Sequence, residues 1–153
     1  MASKPVIELI EYCGANSTLD GAPAVFTTET SSAFVRPEII KSSDPFITYA
    51  SIEYKEGKRE EALEGWKNVT SETEKNEPDT LSYVIAKDKE NAGTVKTLEV
   101  YASQAYFKEV HVPSKAVQEN RVKYGDEIRI SLNHAFLKLV AGYLHKEKAG
   151  SNL

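Results

Sequence analysis

Residues 46–101 read FITYASIEYKEGKREEALEGWKNVTSETEKNEPDTLSYVIAKDKENAGTVKTLEVY, and this stretch decides the fold. Phe46–Tyr54 alternates and is rich in β-formers, so it reads as a strand. Lys55, Glu56 and Gly57 make a turn. From Lys58 to about Lys75, Ala62, Leu63, Trp66, Val69 and Thr73 recur near helical spacing, while Glu60, Glu61, Glu64, Lys67 and Glu74 fall elsewhere. That is an amphipathic helix, weakened by Gly65 and stopped by Asn76, Glu77 and Pro78. Thr80–Ala86 and Thr94–Tyr101 are two further strands joined by a polar turn, hence a hairpin.

Beyond Tyr101, Ser103 is placed to cap a short helix to about Val110, which His111, Val112 and Pro113 break. Ser114 caps a second helix that runs to Tyr124 and is closed by Gly125. Residues 126–133 are ambiguous between coil and one more helical turn, and Phe136–His145 reads as the last strand. The order from residue 45 is strand, helix, strand, strand, helix pair, strand, which is the split βαβ or ferredoxin-like pattern of the α+β class. Its four-stranded antiparallel sheet is covered by helices on one face. Strand positions on both faces are apolar, Ile47, Leu98, Val100 and Leu139 among them, so a homodimer that buries the open face is expected.

Upstream, Val6–Tyr12 is rich enough in β-formers for one strand. Ala15–Ser43 is rich in Ser, Thr, Ala and Pro without helical periodicity, and Thr27–Ser32 reads as loop. The expected organisation is an N-terminal extension over 1–44, a lid or a dimer arm, then a ferredoxin-like domain over 45–146 and a tail over 147–153.

The chain has 153 residues, which suits a single domain with its own core. Its one cysteine, Cys13, excludes an intrachain disulfide and an all-cysteine metal site. Acids exceed bases by 23 to 19 and no Lys/Arg cluster stands out, so neither nucleic acid nor an anionic membrane is the expected partner. No apolar run approaches the ~20 residues that span a bilayer. The first residues carry acids inside their apolar run and do not read as a secretory signal. A cytoplasmic location is expected. Ser151, Asn152 and Leu153 are only loosely similar to a peroxisomal tripeptide, with Asn where a basic residue is usual.

Tyr54–Leu63, Asn76–Tyr83, Glu99–Ser103 and His111–Val117, in this order and spacing, together resemble the antibiotic biosynthesis monooxygenase family of dimeric α+β barrels, fungal members included. Leu139–Leu144 is similar to the closing strand of that family, and the likeness covers about residues 46–146. The resemblance implies a pocket between helices and sheet in each subunit and a small hydrophobic, often aromatic or polyketide-like ligand of secondary metabolism. It implies cofactor-free oxygenation of a phenolic or anthrone-type substrate, with dioxygen as co-substrate and no bound cofactor or metal. Cyclases, isomerases and decarboxylases share such barrels, as do haem-degrading enzymes, and a metabolite-binding protein is a further alternative.

Oxygenation without a cofactor demands an apolar pocket, a base that forms an electron-rich substrate anion, and donors that hold the oxyanion. His111 is the first candidate base, since imidazole titrates near neutrality; the bland alternative is a histidine that caps its helix through a backbone carbonyl. In the small-oxygenase branch of the family an Asn and a Trp lie on the third strand and a Tyr in the next helix. Thr97, Tyr101 and Tyr106 fall at those places, which assigns Tyr106 with His111 to the catalytic set. Ala86 stands where that branch has a strand histidine. Trp66, Tyr101, Tyr83, Phe107, Tyr49 and Thr97 are the expected substrate-binding residues, Trp66 being equally readable as core. Glu99 either acts as an acid or base with a raised pKa or pairs with a cation across the dimer. His134, His145 and Arg121 read as surface residues.

Overall fold

The computed structural model describes residues 6–10, 25–125 and 127–140. In chain order these form β1 (Val6–Ile10), β2 (Val25–Val35), β3 (Phe46–Tyr54), α1 (Arg59–Asn76), β4 (Thr80–Asp88), β5 (Thr94–Tyr101), α2 (Gln104–Tyr106), α3 (Lys115–Tyr124) and β6 (Arg129–Leu137). A 3-10 turn over Pro37–Lys41 links β2 to β3, and a π-helical turn over Phe107–His111 links α2 to α3. The strands form one antiparallel sheet in the order β1-β2-β4-β5-β3-β6. The inner four, β4-β5-β3-β6, are the ferredoxin-like sheet that the sequence predicts, and β1 and β2 extend it beyond β4. Among the described residues no helix is long and apolar enough to cross a membrane.

Two expectations need correction. Thr27–Ser32 is not loop: it lies within β2, which pairs with β4 from Thr28↔Asp88 to Val35↔Ser82. Polar residues serve here because threonine suits a strand backbone and Ser32 finds a partner on α1. Thr28 is buried, and the Ser32 hydroxyl is 2.9 Å from that of Thr70 on α1. The last described strand is not Phe136–His145 but Arg129–Leu137, which pairs with β3 from Leu137↔Ile47 to Arg129↔Tyr54. It is an edge strand, so its apolar residues Ile130, Leu132 and Phe136 stay largely exposed and polar residues alternate with them. That half-polar pattern is a weaker signal than the apolar run after Phe136. Residues 141–145 lie outside the described residues, as do 11–24 and the tail.

Helix α1 starts with Glu60 and Glu61 in its first turn, which suits the positive end of its dipole, and it ends before Pro78, which has no N–H to donate. Ala62, Leu63 and Val69 pack on Ile52, Tyr83, Ile85 and Val95 of the sheet. Burying a side chain such as Leu63 is worth about 1.5–3 kcal/mol. Gly65 is not a flaw in this helix. A β-carbon there would stand 2.1 Å from Asn120 Oδ1 and 2.4 Å from the Tyr124 ring, so the glycine lets α3 approach α1. Gly57 supplies the positive φ of 72° that the turn from β3 to α1 requires.

The other face of the sheet carries a second cluster of Ile47, Leu81 and Val100. Ile39 from the 3-10 turn and Leu139 after β6 pack against it, so part of the face expected to be open is covered by the chain itself.

Candidate active site

The register of the sheet sets the floor of the site. Phe136, Thr48, Glu99 and Tyr83 lie in one row across β6, β3, β5 and β4; His134, Ala50, Thr97 and Ile85 form the next. Successive strand residues point to opposite faces. The residues of these rows therefore share the face that α1, α3 and the π-helical turn cover. Between the layers is a cavity of about 360 Å³, within the lower part of the ~300–1,000 Å³ typical of small-molecule sites.

His111 enters this cavity from the end of the π-helical turn, where the Val112 N–H reaches the carbonyl of Phe107, a wider turn than an α-helix makes. The imidazole is only 4% exposed. Its ring lies among those of Tyr101, Tyr83 and Phe107, with centroids 5.1, 5.4 and 6.1 Å away. Its Nδ1 is 2.8 Å from Glu77 Oε2. Thr80 Oγ1 donates to the same carboxylate oxygen at 3.0 Å. So the partner of His111 is a buried carboxylate and not the backbone carbonyl of a helix cap.

Glu77 sits just past the C-terminus of α1, the negative end of the dipole, where a carboxylate is disfavoured. Burial also opposes its ionisation, but the hydrogen bonds from His111 and Thr80 outweigh it and hold its pKa below the usual carboxylate value. An ionised Glu77 accepts a hydrogen bond from Nδ1–H, and in a neutral imidazole that pairing leaves Nε2 as the acceptor.

A second carboxylate lines the cavity. Glu99 is 5% exposed, and its Oε2 accepts from Tyr101 Oη at 2.8 Å and Thr48 Oγ1 at 2.9 Å. Among the described residues no cation pairs with it. Burial first, and the Glu99 charge second, raise the pKa of Tyr83 and Tyr101 well above the ordinary phenol value, so both remain protonated donors.

Of the residues named from sequence, His111, Trp66, Tyr83, Phe107 and Thr97 line the cavity. Trp66 is wall and core at once: it packs against the main cluster and its Nε1 donates to Tyr54 Oη at 2.8 Å. Tyr101 is fully buried behind the wall and acts on the site through Glu99. Three placements differ from expectation: Tyr101, as just described, and Tyr49 and Tyr106. Tyr49 is on the opposite face of β3 from Ala50, with Lys96 Nζ 6.0 Å from its ring, because its odd position reverses its direction. Tyr106 is half-buried on α2 with its hydroxyl at the backbone of Asp79, outside the cavity lining. His134 and Arg121, read as surface residues, are exposed as expected and also line the cavity, and Arg129, Tyr54 and Asn120 join them without having been singled out. Glu77 was legible only as a helix stop. Among the described residues no three His, Cys, Asp or Glu side chains gather to hold a metal ion.

Residues 45–119 match the family model of antibiotic biosynthesis monooxygenases. The chain carries a domain of this family. The matched segment holds β3, α1, β4, β5 and both His111 and its partner Glu77. A candidate monooxygenase from Fusobacterium nucleatum superposes with a TM-score of 0.69 at 22% identity, over 84% of this chain and 59% of its own. One from Lactobacillus acidophilus gives 0.67 at 15%, over 75% and 52%. A candidate antibiotic biosynthesis monooxygenase from Bacteroides thetaiotaomicron gives 0.62 at 19%, over 70% of this chain and 99% of its own. At these identities the likeness shows the fold, and the chain spans little more than half the length of the first two. No curated protein matches the chain.

Proposed function

We propose that the protein is a cofactor-independent monooxygenase that oxidises a phenolic or anthrone-type substrate. The observation that carries this reading is the Glu77–His111 pair, buried at 2.8 Å and presented to an otherwise largely apolar cavity. The antibiotic biosynthesis monooxygenase domain and the names of its structural neighbours support the same class.

In this mechanism His111 Nε2 takes a proton from the substrate, and Glu77 stabilises the imidazolium that forms. The substrate anion passes one electron to dioxygen, and the resulting radical pair joins in a carbon–oxygen bond. The peroxide then loses water as His111 returns its proton, and a ring CH or CH2 becomes a carbonyl. One oxygen atom ends in that carbonyl and the other in water. The substrate carbon supplies every electron that reduces dioxygen, so no external reductant is consumed. The phenol of Tyr83, kept protonated, lines the cavity as a donor to the developing oxyanion, and that of Tyr101 supports the site from behind the wall through Glu99.

Glu99 favours a second reading. Two acid–base groups in one cavity, His111 and Glu99, can move a proton between two atoms of a substrate without oxygen, as an isomerase or decarboxylase would. A homodimer belongs to either proposal, supported by the exposed Ile130, Leu137 and Val140; light scattering of the purified chain tests it.

The experiment is turnover of a panel of anthrones, quinols and phenols, with and without oxygen, followed by product mass. Oxygen-dependent gain of oxygen mass that is lost in His111→Ala is the expected result. Turnover that persists without oxygen moves the protein to the second reading, and no turnover with intact binding leaves a metabolite-binding protein.

A further inference from the structure

The cavity is polarised along its length. At one end lie His111, Glu99 and Tyr83; at the other lie Arg129, at the start of β6, and Arg121, on α3. Glu99 is level with Thr48 and Arg129 with Tyr54. Those two β3 residues are separated by six steps, or about 20 Å of strand at ~3.3 Å per residue. The walls between the ends carry the apolar Ile52, Val117 and Leu132 and the Trp66 ring, with Thr97 and Gln118 among them.

Among the described residues neither Arg121 nor Arg129 has an ion-pair partner, whereas Arg59 pairs with Glu60 and Arg36 hydrogen-bonds to backbone carbonyls. Arg129 is half-buried. It tucks beneath the C-terminus of α3: its backbone N–H donates to the Gly125 carbonyl at 3.3 Å, and its guanidinium would lie 3.5 Å from a β-carbon at Gly125. The negative end of the helix dipole favours a cation there. A partly desolvated cation without an anion is costly unless a ligand completes it. Two further groups in the wall lack partners: Thr97 Oγ1, on a residue 2% exposed, and Asn120 Oδ1, each buried without a hydrogen bond.

We infer that the substrate is an aromatic acid, whose carboxylate is held by Arg129 and Arg121 while its acidic hydroxyl or C–H faces His111 and Glu99. The fork of a guanidinium matches a carboxylate. The buried Glu99 charge repels that carboxylate from the far end, so the two ends fix the direction in which the ring enters. Thr97 supplies a polar contact to a ring substituent along the way. This inference rests on the cavity being the substrate site, and its test reads binding, so that it stands or falls apart from oxygen chemistry.

The test is calorimetric titration of the full chain with 6-hydroxy-2-naphthoate and with 2-naphthol, which differ only in the carboxylate. The naphthoate is expected to bind about ten-fold more tightly or better, as a charge-assisted contact implies. Arg129→Met is expected to abolish that preference while leaving 2-naphthol unchanged. Arg121→Met, on the exposed side of α3, is expected to reduce it in part and serves where the first variant does not fold. Equal affinity for the two probes, binding of neither, or a preference that survives both substitutions overturns the inference.

Discussion

Glu77 Oε2 and His111 Nδ1 meet at 2.8 Å across 34 residues of chain, joining the end of one helix to a π-helical turn two strands later. The contact makes two elements that lie over the interior strands β4 and β5 into one acid–base unit. It also explains why a carboxylate is kept at the unfavourable end of α1. Removing either partner leaves the other buried without its counterpart. His111→Ala is therefore expected to lower turnover by about 10²–10⁴-fold, the usual worth of a positioned base. Glu77→Gln is expected to lower kcat less and to change the pH profile, since the glutamine cannot stabilise imidazolium. Steady-state rates across pH on any turned-over phenol check both.

The same pair makes a prediction about stability. The folded-state pKa of Glu77 lies below its unfolded value, so the unfolded chain binds more protons in acid. The contribution of Glu77 is thus complete above the ordinary glutamate pKa of about 4.3 and is lost as pH falls through its lower folded value. Denaturant melts between neutral and acid pH are expected to show the wild type losing stability in that window. Glu77→Gln is expected to be less stable at neutral pH and to show a flatter acid limb. Parallel curves for the two proteins would contradict the assignment.

Arg36 ties the segment before the family domain to this unit. Its side chain donates to the carbonyl of Thr80 at 2.9 Å and to those of Glu74 and Glu77, while its guanidinium lies 5.0 Å from the centre of the Phe34 ring. Phe34 in turn stacks on Tyr83 at 6.3 Å, the ring that touches His111. Arg36→Ala removes charge-assisted hydrogen bonds worth about 1.5–3 kcal/mol each at most and takes a donor from the carbonyls of Glu74 and Thr80. Loss of stability in urea together with weaker ligand binding is expected. Arg36→Lys is expected to recover only part, because an ammonium cannot reach several carbonyls from one plane.

How far the sequence carries is visible in such contacts. The strand Thr94–Tyr101 and the helix from Arg59 follow from local alternation and local periodicity, and both appear where the pattern puts them. Strand β2 does not announce itself, because its stability comes from pairing with β4 and from Ser32 meeting Thr70, both distant in sequence. The site divides in the same way. His111, Trp66 and Tyr83 stand out by residue type. Glu77 and Arg129 are ordinary charged residues in sequence, and only the packing of α1 and α3 on the sheet gives them roles. Tyr49 shows the opposite error: the right residue type, one position out of phase with the cavity.

Gly65 tests the packing that closes the cavity. Its missing side chain lets Asn120 and the Tyr124 ring of α3 come against α1, one residue from Trp66. Alanine at 65 favours an isolated helix by ~0.8–1.0 kcal/mol. Here its methyl would overlap a buried ring, and overpacking of that kind costs about 1–3 kcal/mol. The second effect is the larger, so Gly65→Ala is expected to destabilise the protein despite better helix propensity. Because Trp66 is the only tryptophan in the chain, its emission reports the displacement directly. A stabilised Gly65→Ala protein with unaltered emission would show that α3 yields without cost and that the cavity wall is softer than this packing implies.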